Sequence, residues 1–111
     1  MNQTVKDVVD VFTLRLHRAL GDQLVAMILF GSQARGDATP ESDVDIAIIV
    51  RRRTSDLWDQ VTDLSADVSL EFGVNIAPLI VSVTDWERMR DQQLLLAQNI
   101  ETEGVPVWSA K

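Results

Sequence analysis

The stretch LVAMILFGSQARGDATPESDVDIAIIV, residues 24–50, contains two apolar runs joined by a short polar connection. Leu24 to Phe30 is continuously apolar, the pattern of a strand buried on both faces. It stops at Gly31-Ser32, and Gln33-Ala34-Arg35 predicts a short helical turn. Gly36 to Ser42, with Pro40 inside it, reads as a turn-rich loop. Asp43 to Val50 reads as a second strand, ended by Arg51-Arg52-Arg53. Only Gln33 to Ser42 connect the two strands. If the strands are neighbours they run antiparallel, and Gly31-Ser32 lies at the same end of the sheet as Asp43 and Asp45.

Outward from this pair the chain alternates helix and strand. Val5, Val8, Val9, Phe12, Leu16, Ala19 and Leu20 recur at helical spacing, and Gly21 is a natural stop. Ser55 to Phe72 predicts a second long helix with Leu57, Val61, Leu64, Val68 and Phe72 as its apolar stripe, closed by Gly73. Val74 to Val83 reads as a third strand. Thr84-Asp85-Trp86-Glu87 is a capping-box signature, with Thr84 as cap and Glu87 reaching back. Leu94 to Ile100 reads as another helix, and Gly104 to Trp108 as an extended end. The order α-β-(short α)-β-α-β-α makes an α/β domain, expected to span residues 1–111 as one unit.

Composition narrows the chemistry. The 111 residues contain no cysteine, which excludes disulfides, thiol catalysis and Cys-based zinc sites. A single histidine, His17, argues against a His-rich metal site or a Ser-His-Asp triad. It is expected to be solvated or partly packed on the first helix. No apolar run reaches the roughly 18–20 residues of a membrane span. The N-terminus has an acid and no apolar core, so no secretory signal is expected and a cytoplasmic location is. The net charge of −7 disfavours direct nucleic-acid binding. That charge is unevenly spread. Residues 1–55 hold seven acids and seven bases, whereas residues 56–111 hold ten acids and three bases.

The chemistry-bearing residues sit between the two central strands. A Gly-Ser pair at a strand end lets a ligand approach the backbone, and its hydroxyl and amides suit a phosphate. Asp43 and Asp45 are two residues apart on a strand, so their carboxylates share a face. Hard oxygens at that separation suit Mg²⁺, especially when phosphates complete the shell. Converging phosphate-binding and metal-binding groups are what phosphoryl or nucleotidyl transfer requires.

Gly31-Ser32, then ten residues, then Asp43-Val44-Asp45, resembles the signature of the polymerase-β-like nucleotidyltransferase superfamily. The length and the ending Asn99-Ile100-Glu101-Thr102-Glu103-Gly104-Val105 look like its minimal nucleotidyltransferases. The resemblance covers nearly the whole chain. It implies a small mixed sheet flanked by helices, with Gly31 and Ser32 holding the triphosphate of ATP and Asp43 and Asp45 ligating Mg²⁺. Arg35 either orients phosphates or braces the turn. Such proteins typically act as antitoxins of a HEPN-domain ribonuclease toxin, and some transfer AMP to a tyrosine of it. The implied function is therefore Mg²⁺-dependent AMP transfer from ATP to a hydroxyl of a HEPN partner. The short chain leaves little room for an acceptor pocket, so the acceptor is expected on another protein. The family's third carboxylate would fall near Val74-Asn75-Ile76-Ala77, where Asn75 stands at the expected position and Ala77 two residues on. Asparagine cannot serve as a carboxylate base, although Glu71 or a partner residue could substitute. The alternative is an antitoxin that neutralises its toxin by binding alone.

Other features have plainer readings beside sharper ones. Asp56, Asp59, Asp63, Asp67 and Glu71 form one acidic helix face with no Lys or Arg between Thr54 and Glu87. Such a face is either simply solvated or a docking surface for a basic partner. Arg51-Arg52-Arg53 reads as a solvated strand terminator, at the end opposite Asp43. Trp58, Trp86 and Trp108 are expected to pack in the core or at its rim, with Trp108 the best candidate for an interface anchor.

Overall fold

The structure, a computed structural model, describes residues 2–110. Helix α1 (Gln3–Leu20) leads through a single 3-10 turn into strand β1 (Leu24–Phe30). Helix α2 (Ser32–Arg35), strand β2 (Val44–Val50), helix α3 (Ser55–Phe72) and strand β3 (Ile76–Ser82) follow. Helices α4 (Val83–Asp91) and α5 (Leu95–Glu103) lead to strand β4 (Val105–Ser109). The sheet order is β3-β2-β1-β4. β1 is antiparallel to both β2 and β4, while β2 and β3 are parallel, so the sheet is mixed as expected.

The helices start where side chains can satisfy their free amides. Asn2 accepts from Val5 N–H at 2.8 Å and Thr54 from Leu57 N–H at 3.1 Å. Helix α4 departs from expectation. It begins at Val83, and Ser82, not Thr84, accepts from the Asp85 amide at 3.1 Å. The Thr84/Glu87 capping box is therefore not formed. Val83 belongs to the helix and not to β3, and the strand itself starts at Ile76 and not at Val74. Ser82-Val83-Thr84-Asp85 offers the same kind of hydroxyl cap two residues earlier, where the β3 backbone must already turn.

Both faces of the sheet are covered. Val44, Ile46, Ile48 and Val50 of β2 pack with Val8, Phe12 and Leu16 of α1 and with Val61 and Val68 of α3. Ala47 and Ile49 point the other way and pack with Trp86 of α4 and with Ala97 and Ile100 of α5. Burying each large apolar side chain stabilises the fold by about 1.5–3 kcal/mol. Ala19 is a correction to the expected α1 stripe, since it is exposed while Leu16 and Leu20 are buried. The expected extended end became a sheet strand, β4, paired with β1. Each edge strand carries a proline, Pro78 in β3 and Pro106 in β4, which removes one edge N–H.

The alternation along β2 fixes where its acids point. Asp45 shares a face with Ala47 and Ile49, on the α4/α5 side. Asp43 lies just before the strand begins, exposed at its mouth.

Candidate active site

Phe30 and Asp45 are cross-strand partners in the β1–β2 ladder, so Gly31 follows at the very end of the pairing. Gly31 has φ +74°, a conformation that L side chains rarely adopt. A Cβ there would overlap Asp45 Oδ2 and sit 3.3 Å from its Cγ. The glycine is thus required twice, by its own backbone and by the carboxylate beside it. Its carbonyl accepts from the amides of Ala34 and Arg35, both at 3.1 Å, which folds Ser32 to Arg35 into the short α2. Ser32 and the half-buried Asp45 therefore leave adjacent strand ends, as the sequence predicted.

Asp43 and Asp45 differ in environment. Asp43 is exposed, and Asp45 is partly buried. Burial pushes the Asp45 carboxyl above its usual range, and the Asp43 charge adds to this while Arg35 opposes it. Ionised Asp45 is thus held in an unfavourable field, which a divalent cation relieves. Among the described residues no group of three His, Cys, Asp or Glu side chains gathers to hold a metal. Two hard carboxylates at one mouth fit Mg²⁺ when phosphate oxygens supply further ligands.

The position expected for a third acid lies beside them. β2 and β3 pair in parallel, Val44 with Ile76 and Asp45 with Ala77. The Val44 amide donates to the Asn75 carbonyl at 2.8 Å, so Asn75 is tied to Asp43's neighbour. Its Nδ2 donates to Asp43 Oδ1 at 3.0 Å. Glu71, the expected substitute, is instead paired with Arg15 of α1 at 2.7 and 3.2 Å.

Arg35 braces the turn. Its guanidinium donates to Asp37 at 3.3 Å and to Glu103, at the end of α5, at 3.4 Å. Both pairs are exposed. Asp37 and Glu103 are the residues that sequence reasoning missed. Glu103 is 68 positions from Arg35, and no local pattern marks it. The loop between the strands is closed by Ser42, whose Oγ accepts from the Thr39 amide at 2.8 Å. A concavity of about 440 Å³ lies beside it, lined among others by Asn2, Gln33, Thr39, Ser42 and Asn75.

The remaining candidates lie elsewhere. Arg51 ends β2 at the far side of the sheet, where its Nε donates to the Asp22 carbonyl at 2.7 Å. His17 is exposed and packs its ring on Trp108, with centroids 4.9 Å apart. Trp108 is half-buried against the core, Trp86 is buried, and Trp58 is the exposed one of the three.

The site's geometry agrees with what comparison finds. The family model described as "Polymerase beta, Nucleotidyltransferase" matches residues 16–111. The chain belongs to this nucleotidyltransferase family. Two relatives from Methanocaldococcus jannaschii are each named "Putative protein adenylyltransferase". One is 33% identical over 84 residues, covering 73% of this chain and 57% of that protein. The other is 34% identical over 79 residues, covering 70% of this chain and 80% of that protein. The chain thus spans little more than half of the first relative.

Solved structures share the nucleotidyltransferase fold. One, described as a toxin–antitoxin with AMP-PNP, superimposes with TM-score 0.63 at 20% identity, over 92% of this chain and 74% of that one. Another holds a tri-AMPylated Shewanella oneidensis HEPN toxin in complex with an MNT antitoxin. It gives TM-score 0.59 at 18% identity, over 96% of this chain and 73% of that one. At these identities the likeness concerns the fold.

Proposed function

We propose that this nucleotidyltransferase transfers AMP from Mg-ATP to a hydroxyl, that of a tyrosine, on a HEPN-domain toxin, and so acts as its antitoxin. The observation that carries the reading is the apposition of Gly31-Ser32 with Asp43 and Asp45 at one sheet end. The named relatives and the toxin–antitoxin structures support the choice of substrate class and partner. Gly31 and Ser32 bind the phosphates, and Asp43 and Asp45 hold Mg²⁺. Bound there, the ion neutralises charge on the phosphates and on the departing pyrophosphate. The acceptor oxygen forms a bond to the α-phosphorus as the bond from that phosphorus to the β-phosphate oxygen breaks. Pyrophosphate leaves with that electron pair, and the hydroxyl proton passes to a base or to water. The site's task is alignment, and in-line geometry supplies much of the rate. No helix among the described residues is long and apolar enough to cross a membrane.

A second reading, neutralisation by binding alone, is favoured by one observation. Asn75, at the position where the family resemblance leads one to expect a third acid, donates to Asp43, and among the described residues no third carboxylate gathers beside the pair. One experiment separates the two. The chain is incubated with Mg-ATP and a HEPN protein encoded beside it, and intact masses are taken. A partner heavier by AMP, and unmodified with Asp43→Asn, supports transfer. An unmodified partner held in a tight complex by both forms supports binding alone.

A further inference from the structure

Among the described residues, Asp43 takes one side-chain hydrogen bond, from Asn75, and Asp45 takes none. We infer that Asn75 is a positioning residue that limits the site to one divalent cation and directs that cation to the Oδ2 side of Asp43. The inference rests on the nucleotidyltransferase reading and deepens it.

Nδ2 lies 3.0 Å from Asp43 Oδ1, so the positive end of the amide dipole faces that oxygen. A cation approaching Oδ1 from the same side would meet the amide hydrogens. The Asn75 backbone cannot easily withdraw, because its carbonyl accepts from Val44 at 2.8 Å, at the head of the parallel pairing. With no cation between them, turning the amide over would place its oxygen against the carboxylate, two acceptors face to face, so the amide rests with Nδ2 toward Asp43. What stays available is Asp43 Oδ2 and the Asp45 carboxylate, two residues further along the chain. Paired cations about 3.5–4 Å apart need a bridging carboxylate and further oxygens for each ion. The described residues gather no third acid, histidine or cysteine to provide them. A single octahedral ion completed by phosphates and water needs no more than these two side chains.

The test counts cations, with Mn²⁺ as the probe and a saturating non-hydrolysable ATP analogue on the full chain. Free Mn²⁺ is read by electron paramagnetic resonance after equilibrium dialysis. One bound Mn²⁺ per chain is expected for the natural sequence, and two for Asn75→Asp. Asn75→Ala should keep one, held several-fold more weakly, because Asp43 is then free to rotate. Two ions in the natural chain overturn the inference, as does one ion in a folded, nucleotide-bound Asn75→Asp chain. If Asn75→Asp does not fold, an unchanged Mn²⁺ affinity in Asn75→Ala overturns the positioning role. Failure of the natural chain to bind the nucleotide at all, with or without Mn²⁺, overturns instead the nucleotidyltransferase reading beneath it.

Discussion

Gly31 and Asp45 stand so close that there is no space for a methyl group between them: a Cβ on Gly31 would overlap Asp45 Oδ2. This contact joins the phosphate-binding turn to the metal-binding strand. Gly31→Ala has two costs, a positive φ and a displaced carboxylate. Strain of this kind is worth about 1–3 kcal/mol, and denaturant unfolding should show a loss of that order. Nucleotide binding should fall further than stability does, because Asp45 must move. Gly31→Ala combined with Asp45→Ala should be less destabilised than the sum of the two single changes. Simple additivity would show that the two residues do not press on each other.

The elevated Asp45 carboxyl makes a pH prediction. Its folded-state pKa lies above the unfolded value, chiefly from burial and then from Asp43. In the window between the two values the folded chain binds more protons than the unfolded one. Stability therefore falls as pH rises through that window, and the loss persists at neutral pH. Asp45→Asn should raise the melting temperature of the free protein at pH 7, with the gain shrinking as pH falls through the window. The same change should abolish the melting-temperature rise that Mg²⁺ with an ATP analogue gives the natural chain. A destabilised Asp45→Asn at pH 7 would show that the carboxylate makes a favourable contact in the free protein.

How far the sequence alone reaches is visible in these same residues. The ends of β1, α2 and α3 were legible, because apolar runs and helical stripes there terminate at Gly31, Gly36 and Gly73. The convergence of Gly31-Ser32 with Asp43 and Asp45 was legible because a ten-residue connection places them at one sheet end once the two strands pair. Asn75 against Asp43 was legible only as a spacing. Its hydrogen bond needs the parallel β2–β3 register, set by packing of Ile76 and Ile80 under α1 and α3. Arg35 with Glu103 and Arg15 with Glu71 span 68 and 56 positions, and no local propensity encodes them. The shifted cap of α4 is a local error, since two hydroxyls two residues apart both satisfy the same pattern.

Arg35 offers a way to separate bracing from phosphate contact. Its pairs with Asp37 and Glu103 are exposed at 3.3 and 3.4 Å, and exposed pairs of this kind are weak. The guanidinium is therefore free to exchange its partners for a triphosphate, which it binds more strongly through charge-assisted bonds. Glu103→Gln removes a competitor and should tighten binding of the ATP analogue a few-fold in calorimetry. Arg35→Gln should weaken it by about tenfold. If both variants bind as the natural chain does, Arg35 serves only the turn.

The acidic face of α3 carries the last prediction. Glu71 is held by Arg15, but among the described residues Asp56, Asp59, Asp63 and Asp67 make no ion pair. Four like charges along one helix repel each other, each i,i+4 pair costing about 0.2–0.5 kcal/mol. Relieving Asp59 and Asp63, which lie beyond the first turn that holds Asp56, should stabilise the isolated chain, so any use of this face lies outside it. If that use is docking a basic partner, the effect falls mainly on the association rate, because long-range charge steers encounter. Asp59→Lys with Asp63→Lys should then melt at a higher temperature alone. It should also associate more slowly with the HEPN partner at low salt, with dissociation little changed. The difference in association rate should close as salt is raised and the Debye length falls below about 10 Å. Equal association rates at low salt would leave the face a solubilising surface.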